Sequence, residues 1–509
     1  MNINRKKQMS LGVILSYLSI IVNLFTGILY TPIVLNTLGQ SQYGVYSLCI
    51  SFVGYLTIFN AGINAAYIRF YVQTKTLNAQ NLDKLNGVFC KIFIVLSVIG
   101  LVGGLLVAYF SPTLFGTKLT MEEYNLIREC FVLLAFTVAI EVFTCLFKSF
   151  ITANEAFIFG KSLDVIGAVF NPVLTLPFLL HGFDCTAIIG VRLGVAIVIL
   201  LLNIVFCHKI LYIRFLFEAV DQKLLRNIGQ FSGFIALQSI MDQMNWQVDK
   251  LILAWTNGTS DISIYSVGSL FNSYYIMIGC AVSGVFIAEI NKLVASHDEA
   301  RLNSLFTRTS KWFSYLICFI MMAFFIFGHA FILRWAGREY NQAFTVGWLL
   351  MAPVTLSLIM GLGQDIARAK NKHQMQIVIN VCVCVVNMLM SIPLAMYYGA
   401  VGSAIGTFIA EIILCIIIQP FYYKKVLGLD IKSICMNLFR FFPGLLLPLM
   451  FGVIINYWSL LHADYISIGL YGIAFALIYL MSVLKFSMNQ EERQYIVGLV
   501  KNKVMRING

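Results

Sequence analysis

The chain is 509 residues long, 60% hydrophobic and 11% charged, and its 35 Lys and Arg outnumber 23 Asp and Glu to give a net charge of +12. At a mean hydropathy of +0.85 it has too few polar side chains to solvate a soluble domain. That excludes a soluble enzyme or nucleic-acid-binding module and leaves an all-α integral membrane protein. Twelve cysteines do not make a disulfide scaffold, because nearly all lie in apolar runs; Cys185 is the exception, expected in an outer loop without a partner.

The chain opens on the basic segment MNINRKK, followed by an apolar run from about Leu11 to Leu35. That run is too long for a signal h-region and lacks a small-x-small cleavage site, so it reads as the first membrane span. Thirteen further apolar stretches of about 20 residues follow. They lie near 43–66, 87–110, 129–150, 160–180, 186–207, 230–255, 262–290, 311–333, 343–366, 374–397, 400–420, 435–458 and 463–485, which brings the expected total to fourteen. The expected organisation is an N-terminal lobe of spans 1–6 (1–213), a C-terminal lobe of spans 7–12 (214–425), and spans 13–14 with a tail (426–509). In the tail, Tyr495, Ile496, Leu499, Val500 and Val504 share one helical face, which predicts a cytoplasmic interfacial helix.

Basic residues fall in every second connection, from Arg5, Lys6 and Lys7 through Lys209 and Arg214 to Lys501, Lys503 and Arg506. The opposite connections hold only Lys118, Arg128, Arg334 and Arg338. By the positive-inside rule both termini are cytoplasmic, and topology alone accounts for the net charge, with no nucleic-acid partner required. The outer connections, such as NTLGQSQ, HGFDC and YYGA, are short.

The two lobes resemble each other at an offset of 216 to 219 residues. QYGVYSLCISFVGY (42–55) aligns with DISIYSVGSLFNSY (261–274), and PFLLHGFDCTAIIG (177–190) with PLAMYYGAVGSAIG (393–406). Such repeats commonly frame a transporter's substrate site.

Span 7 is anomalous. In MDQMNWQVDKLILAW (241–255), Asp242, Asn245 and Asp249 form one stripe with Gln238, and Gln243, Gln247 and Lys250 form a second beside it with Ser239. Together they make a polar face of roughly 200°. A charge at the bilayer centre costs about 2.5–3.5 kcal/mol, so these groups are expected to line a wet cavity. Asp249 and Lys250 are sequence neighbours and do not face each other; Arg192 in span 6 is at similar depth and is a candidate partner for Asp249. Candidate substrate contacts are therefore Arg192, Lys250, Asn245, Gln243, Gln247, Asn60 and Arg69. Candidate ion-coupling acids are Asp242, Asp249, Glu141 and Glu411, the last two near mid-depth of spans 4 and 12. Coupling to a proton or sodium ion stands beside a passive carrier as an open alternative.

Other chemistries find little support. FGKS (159–162) ends like a phosphate loop, but Glu155 stands where that loop requires Gly. The six histidines show no metal-ligand spacing, and no cofactor is implied. A membrane glycosyltransferase would need acids in the first outer loop, and NTLGQSQ has none.

In LGQSQYGVYSL (38–48), FNAGINAAYIRFY (59–71), VDKLILAWTNGTSDISIYSVG (248–268), ILRWAGREYNQA (332–343) and GAVGSAIGTFIAE (399–411), the chain resembles the polysaccharide transporter (Wzx-type flippase) branch of the multidrug/oligosaccharidyl-lipid/polysaccharide exporter superfamily. The resemblance implies movement of an undecaprenyl-pyrophosphate-linked oligosaccharide from the inner to the outer leaflet of a bacterial cytoplasmic membrane by alternating access. Its implied partners are that glycan, membrane lipids and a polysaccharide polymerase complex. At Asn60 many relatives carry Asp, so a protonatable group is missing there. The alternatives within the superfamily are a cation-coupled multidrug exporter, whose span 1 acid is absent here where span 1 holds Asn23, and a lipid II flippase, whose cationic cluster in spans 1 and 2 is also absent.

Overall fold

A computed structural model describes residues 5–56, 58–77, 81–115, 118–218, 222–372, 374–458, 461–490 and 492–494. The expected interfacial helix in the tail lies outside the described residues. Among the described residues all regular structure is helical. The helices are α1 (Arg5–Leu56), α2 (Ile58–Leu77), α3 (Leu82–Leu114), α4 (Met121–Ala153), α5 (Phe157–Leu180), α6 (Cys185–Lys209), α7 (Gln222–Thr256) and α8 (Thr259–Ser283). They continue with α9 (Ile287–Ala295), α10 (Glu299–Trp335), α11 (Asn341–Ile359), α12 (Leu362–Ala369), α13 (Gln374–Ile412), α14 (Gln419–Val426), α15 (Ile431–Tyr457) and α16 (Tyr465–Phe486).

Eleven helical stretches among the described residues are long and apolar enough to cross a membrane. Two of them, Ser10–Leu77 and Gln374–Lys425, run through glycines in conformations that L-residues avoid. Gly39 takes φ 71° and ψ 178°, and Gly399 takes φ 58° and ψ −136°. The outer loops expected at NTLGQSQ and YYGA are thus compressed to single-residue breaks within helices. The 35-residue α7 is long enough to span, but its polar residues keep it out of the eleven. The expectation of fourteen counted each side of both breaks, and α7, separately. Gly39 and Gly258, equivalent in the repeat, both take positive φ, 71° and 108°.

The chain forms two compact units, Met1–Ser266 with Ser391–Ser403, and Val267–Met390 with Ala404–Gly509. In the first, α4 packs on α3 and α6, α5 packs along α1, and α7 lies against α2 and α1. Helix starts are fixed by side chains that satisfy orphan N–H groups: Thr120 and Glu123 form a capping box on α4, and Asp184 accepts from Thr186 N at 3.0 Å to start α6. Cys185 therefore begins a helix rather than lying in a loop, and its buried thiol sits 3.6 Å from that of Cys130. In the second unit, α15 and α16 pack on α10 through an aromatic cluster of Tyr315, Phe327, Phe441, Phe475 and Tyr479. Tyr479 Oη donates to the Tyr315 carbonyl at 2.7 Å, so the polar end of a buried tyrosine is satisfied inside the core.

Candidate functional site

Within the first unit, α1, α2, α4, α5 and α6 enclose a cavity of about 550 Å³, inside the 300–1,000 Å³ typical of ligand sites. Its charged side chains are Lys148 and an ion pair between two helices. Arg192 Nε and Nη2 on α6 donate to Glu141 Oε1 and Oε2 on α4 at 3.0 and 3.1 Å, a two-pronged contact. Both side chains remain about one-third accessible (32% and 31%), so the pair faces the cavity rather than closed protein.

The rest of the wall combines apolar side chains with Lys148 and several uncharged polar groups. Asn60, Thr144, Asn171 and Thr175 contribute amides and hydroxyls, and Tyr30 and Tyr46 contribute rings. The two threonine hydroxyls donate into their own helices, Thr144 to the Ile140 carbonyl at 2.7 Å and Thr175 to the Asn171 carbonyl at 2.6 Å. Their oxygen lone pairs remain available as acceptors. Asn171 Nδ2 donates to the Gly167 carbonyl at 2.9 Å, and its buried Oδ1 has no partner among the described residues.

The structure brings together three of the residues singled out in the sequence, Arg192, Glu141 and Asn60, and disperses the others. Arg192 was a candidate partner for Asp249; it pairs instead with Glu141. Asp249, only 1% exposed, accepts from Tyr265 Oη at 2.8 Å and Ser403 Oγ at 2.7 Å. Two neutral hydroxyl donors thus meet the buried carboxyl group. Tyr265 comes from α8 and Ser403 from α13, which no helical wheel of α7 alone would reveal.

The polar face of α7 was expected to line a cavity, yet none of its residues is on the wall of the one described here. The helix packs against α1 and α2, and the backbone there is close. A Cβ at Gly62 would fall 2.4 Å from the Ser232 carbonyl oxygen, and one at Gly54 would fall 2.2 Å from Gln243 Oε1. Gln243 and Asn245 are half-buried, and Gln247 Oε1 is buried with no partner among the described residues. Lys250 is half-buried and makes no hydrogen bond or ion pair among the described residues. The Asp242 side chain lies outside the described residues. Arg69 lies over the Phe231 ring at 4.6 Å, joining α2 to α7. In the second unit, Glu411 accepts from the Cys415 thiol at 3.9 Å, beside a π-helical segment at Ile413–Ile418.

Tyr30, Asn171, Pro172 and Thr175 belong to the site but were not singled out. Asn171-Pro172 in the middle of an apolar span was the available signal, because proline interrupts a helix and an amide beside it seeks a partner.

A bundle of kinked membrane helices around a cavity that carries an ion pair and several polar side chains defines a multi-pass membrane protein of the transporter type. A profile of the family described as "Polysaccharide biosynthesis protein" matches residues 36–345, and the chain belongs to that family. It is 19% identical over 393 residues, 76% of this chain and 91% of the relative, to the Shigella flexneri protein described as "Putative O-antigen transporter". Among solved structures it resembles lipid II flippase MurJ in an inward closed conformation, with a TM-score of 0.69 at 18% identity, covering 93% of this chain and 97% of that one. It also resembles an inward-facing multidrug resistance MATE family transporter of the MOP superfamily, with a TM-score of 0.67 at 13% identity, covering 78% and 96%. These likenesses establish the fold.

Proposed function

We propose that the protein is a flippase that moves a polyprenyl-pyrophosphate-linked oligosaccharide from the inner to the outer leaflet of a bacterial cytoplasmic membrane, for cell-surface polysaccharide assembly. The observation that carries this reading is the cavity of the first unit. Glu141 neutralises Arg192 there, and the remaining amides, hydroxyls and tyrosine rings match the alternating hydrogen-bonding edges and apolar faces of sugars. A sugar headgroup cannot cross hydrocarbon unaided, and such a wall replaces the water it loses.

In this reading, fourteen spans place both termini in the cytoplasm. The two six-span lobes (1–213 and 214–425) alternate access, and 426–509 is an addition. Lys250 and Arg69 supply cationic contacts outside the cavity, with Asn245, Gln243 and Gln247 as polar neighbours. The acids Asp242, Asp249 and Glu411 are candidates for coupling to a proton or sodium gradient. No covalent chemistry is assigned to the protein, and a polymerase complex would receive the product.

Reconstitution tests this directly. Proteoliposomes loaded on one leaflet with an undecaprenyl-pyrophosphate-linked oligosaccharide should expose the glycan to a lectin on the other side faster than protein-free vesicles do. Equal rates with and without the protein, using the glycan native to the host, would reject the flippase reading.

A further inference from the structure

A second cavity, of about 370 Å³, lies between α1 and α5 and shares Tyr30, Asn171 and Pro172 with the first. Its walls are matched helical stripes. On α1, Thr26 and Gly27 sit one turn and Asn23 two turns before Tyr30, and on α5 Gly167 and Ala168 sit one turn and Asp164 two turns before Asn171. The small residues Gly27, Gly167 and Ala168 leave the space between the two helices unfilled by side chains. Pro172 also lacks an N–H, which leaves the Ala168 carbonyl without its intrahelical donor and adds an acceptor to the cleft wall. Exposed apolar side chains flank the cleft, Phe25 and Leu29 on α1 and Phe170 and Val173 on α5, the surface expected against lipid tails.

At the junction of the two cavities stands a charge cluster with one member on each wall. Lys148, on the wall of the first cavity, pairs with Asp164, on the wall of the second, at 3.2 Å, and Lys161 meets the other oxygen of Asp164 at 3.3 Å. Two ammonium groups share one carboxylate, so the cluster retains one positive charge, while the Arg192–Glu141 pair on the wall of the first cavity is neutral. All three side chains are partly accessible. Snorkelling explains one lysine at a span end; it does not explain two converging on one acid where two cavities meet.

Resting on the flippase reading, we propose that the α1–α5 cleft is a lateral portal for the lipid-linked substrate. The Lys148–Asp164–Lys161 cluster holds the pyrophosphate at its mouth, the glycan occupies the first cavity, and the polyprenyl tail leaves through the cleft into lipid. The division follows from charge. A pyrophosphate seeks net positive charge and ammonium donors, and a neutral glycan seeks the uncharged wall beyond.

The test measures binding of undecaprenyl pyrophosphate and, separately, inorganic pyrophosphate to the full-length protein in nanodiscs. The double variant Lys148→Gln, Lys161→Gln should weaken both by about tenfold or more, the loss expected when charge-assisted hydrogen bonds go. Ala168→Trp, which fills the cleft and leaves both lysines, should weaken only the tail-bearing ligand. Val169→Trp, one residue along on the exposed flank, should weaken neither. Unchanged binding of both probes by the lysine variant, at normal abundance, overturns the pyrophosphate assignment and leaves the lysines as interfacial anchors. Unchanged lipid binding by Ala168→Trp overturns the portal. Glycan inversion by the wild type, measured in the same vesicles, separates either result from failure of the flippase reading itself.

Discussion

Aligned positions of the sequence repeat are filled differently in the two units. Aligning 177–190 with 393–406 and continuing two residues places Arg192 opposite Phe408. In the first unit Arg192 is ion-paired on the wall of a polar cavity; in the second, Phe408 stacks on Trp348, with ring centroids 6.3 Å apart. Elsewhere in the second unit, charged side chains are paired beside an apolar core. Lys311 pairs with Glu492 at 2.7 Å and Lys370 with Glu299 at 2.8 Å, while Phe306, Tyr423 and Ile366 fill the interior. The difference teaches that the repeat preserves local helical geometry, with positive φ at the equivalent Gly39 and Gly258, both in the first unit, while the side chains at aligned positions assign the work.

The comparison is tested most severely by removing one half of the Arg192–Glu141 pair. Glu141→Ala strands the Arg192 guanidinium. Breaking a fully buried pair costs about 3–5 kcal/mol, and with both side chains about one-third accessible we expect about half of that. Abundance and thermal midpoint in detergent should fall, and transport should be lost. Phe408→Leu, at the equivalent place in the second unit, should lower the midpoint less and leave transport near normal. If Phe408→Leu abolishes transport at normal abundance while Glu141→Ala does not, the assignment of work between the units is reversed.

A smaller effect is expected at Lys250, which lies in the first unit but off the cavity wall. Lys250→Gln should reduce glycan inversion by about tenfold, the worth of one charge-assisted contact, without lowering abundance, because no described partner is left unpaired. Full activity would confine substrate recognition to the cavity and its mouth.

The spans, the short outer connections and the abnormal polarity of α7 were legible in the sequence, because hydropathy and helical period report which face of a helix is polar. They do not report what that face meets. Asp249 was expected opposite Arg192 from depth alone, yet its partners come from residues 16 and 154 positions away, and those of Arg192 from 51 away. The cavity was half legible. Asn60, Glu141 and Arg192 stood out as polar groups in apolar runs, whereas Tyr30, Thr144 and Thr175 are ordinary residues of membrane helices until the fold gathers them. The NTLGQSQ connection read as a loop because Gly and polar residues mark turns, but one glycine at positive φ is enough to redirect a helix that otherwise continues through Leu56.

The central claim is that the glycan headgroup occupies the cavity of the first unit, and Cys145 on its wall is a native reporter. In a variant whose sole cysteine is Cys145, alkylation by a water-soluble maleimide should proceed in lipid vesicles and should slow by about tenfold when the undecaprenyl-pyrophosphate-linked oligosaccharide is present near saturation, while undecaprenyl phosphate without sugar leaves the rate nearly unchanged. Equal alkylation with and without the saturating glycan lipid, in a variant that still inverts it, would contradict the account.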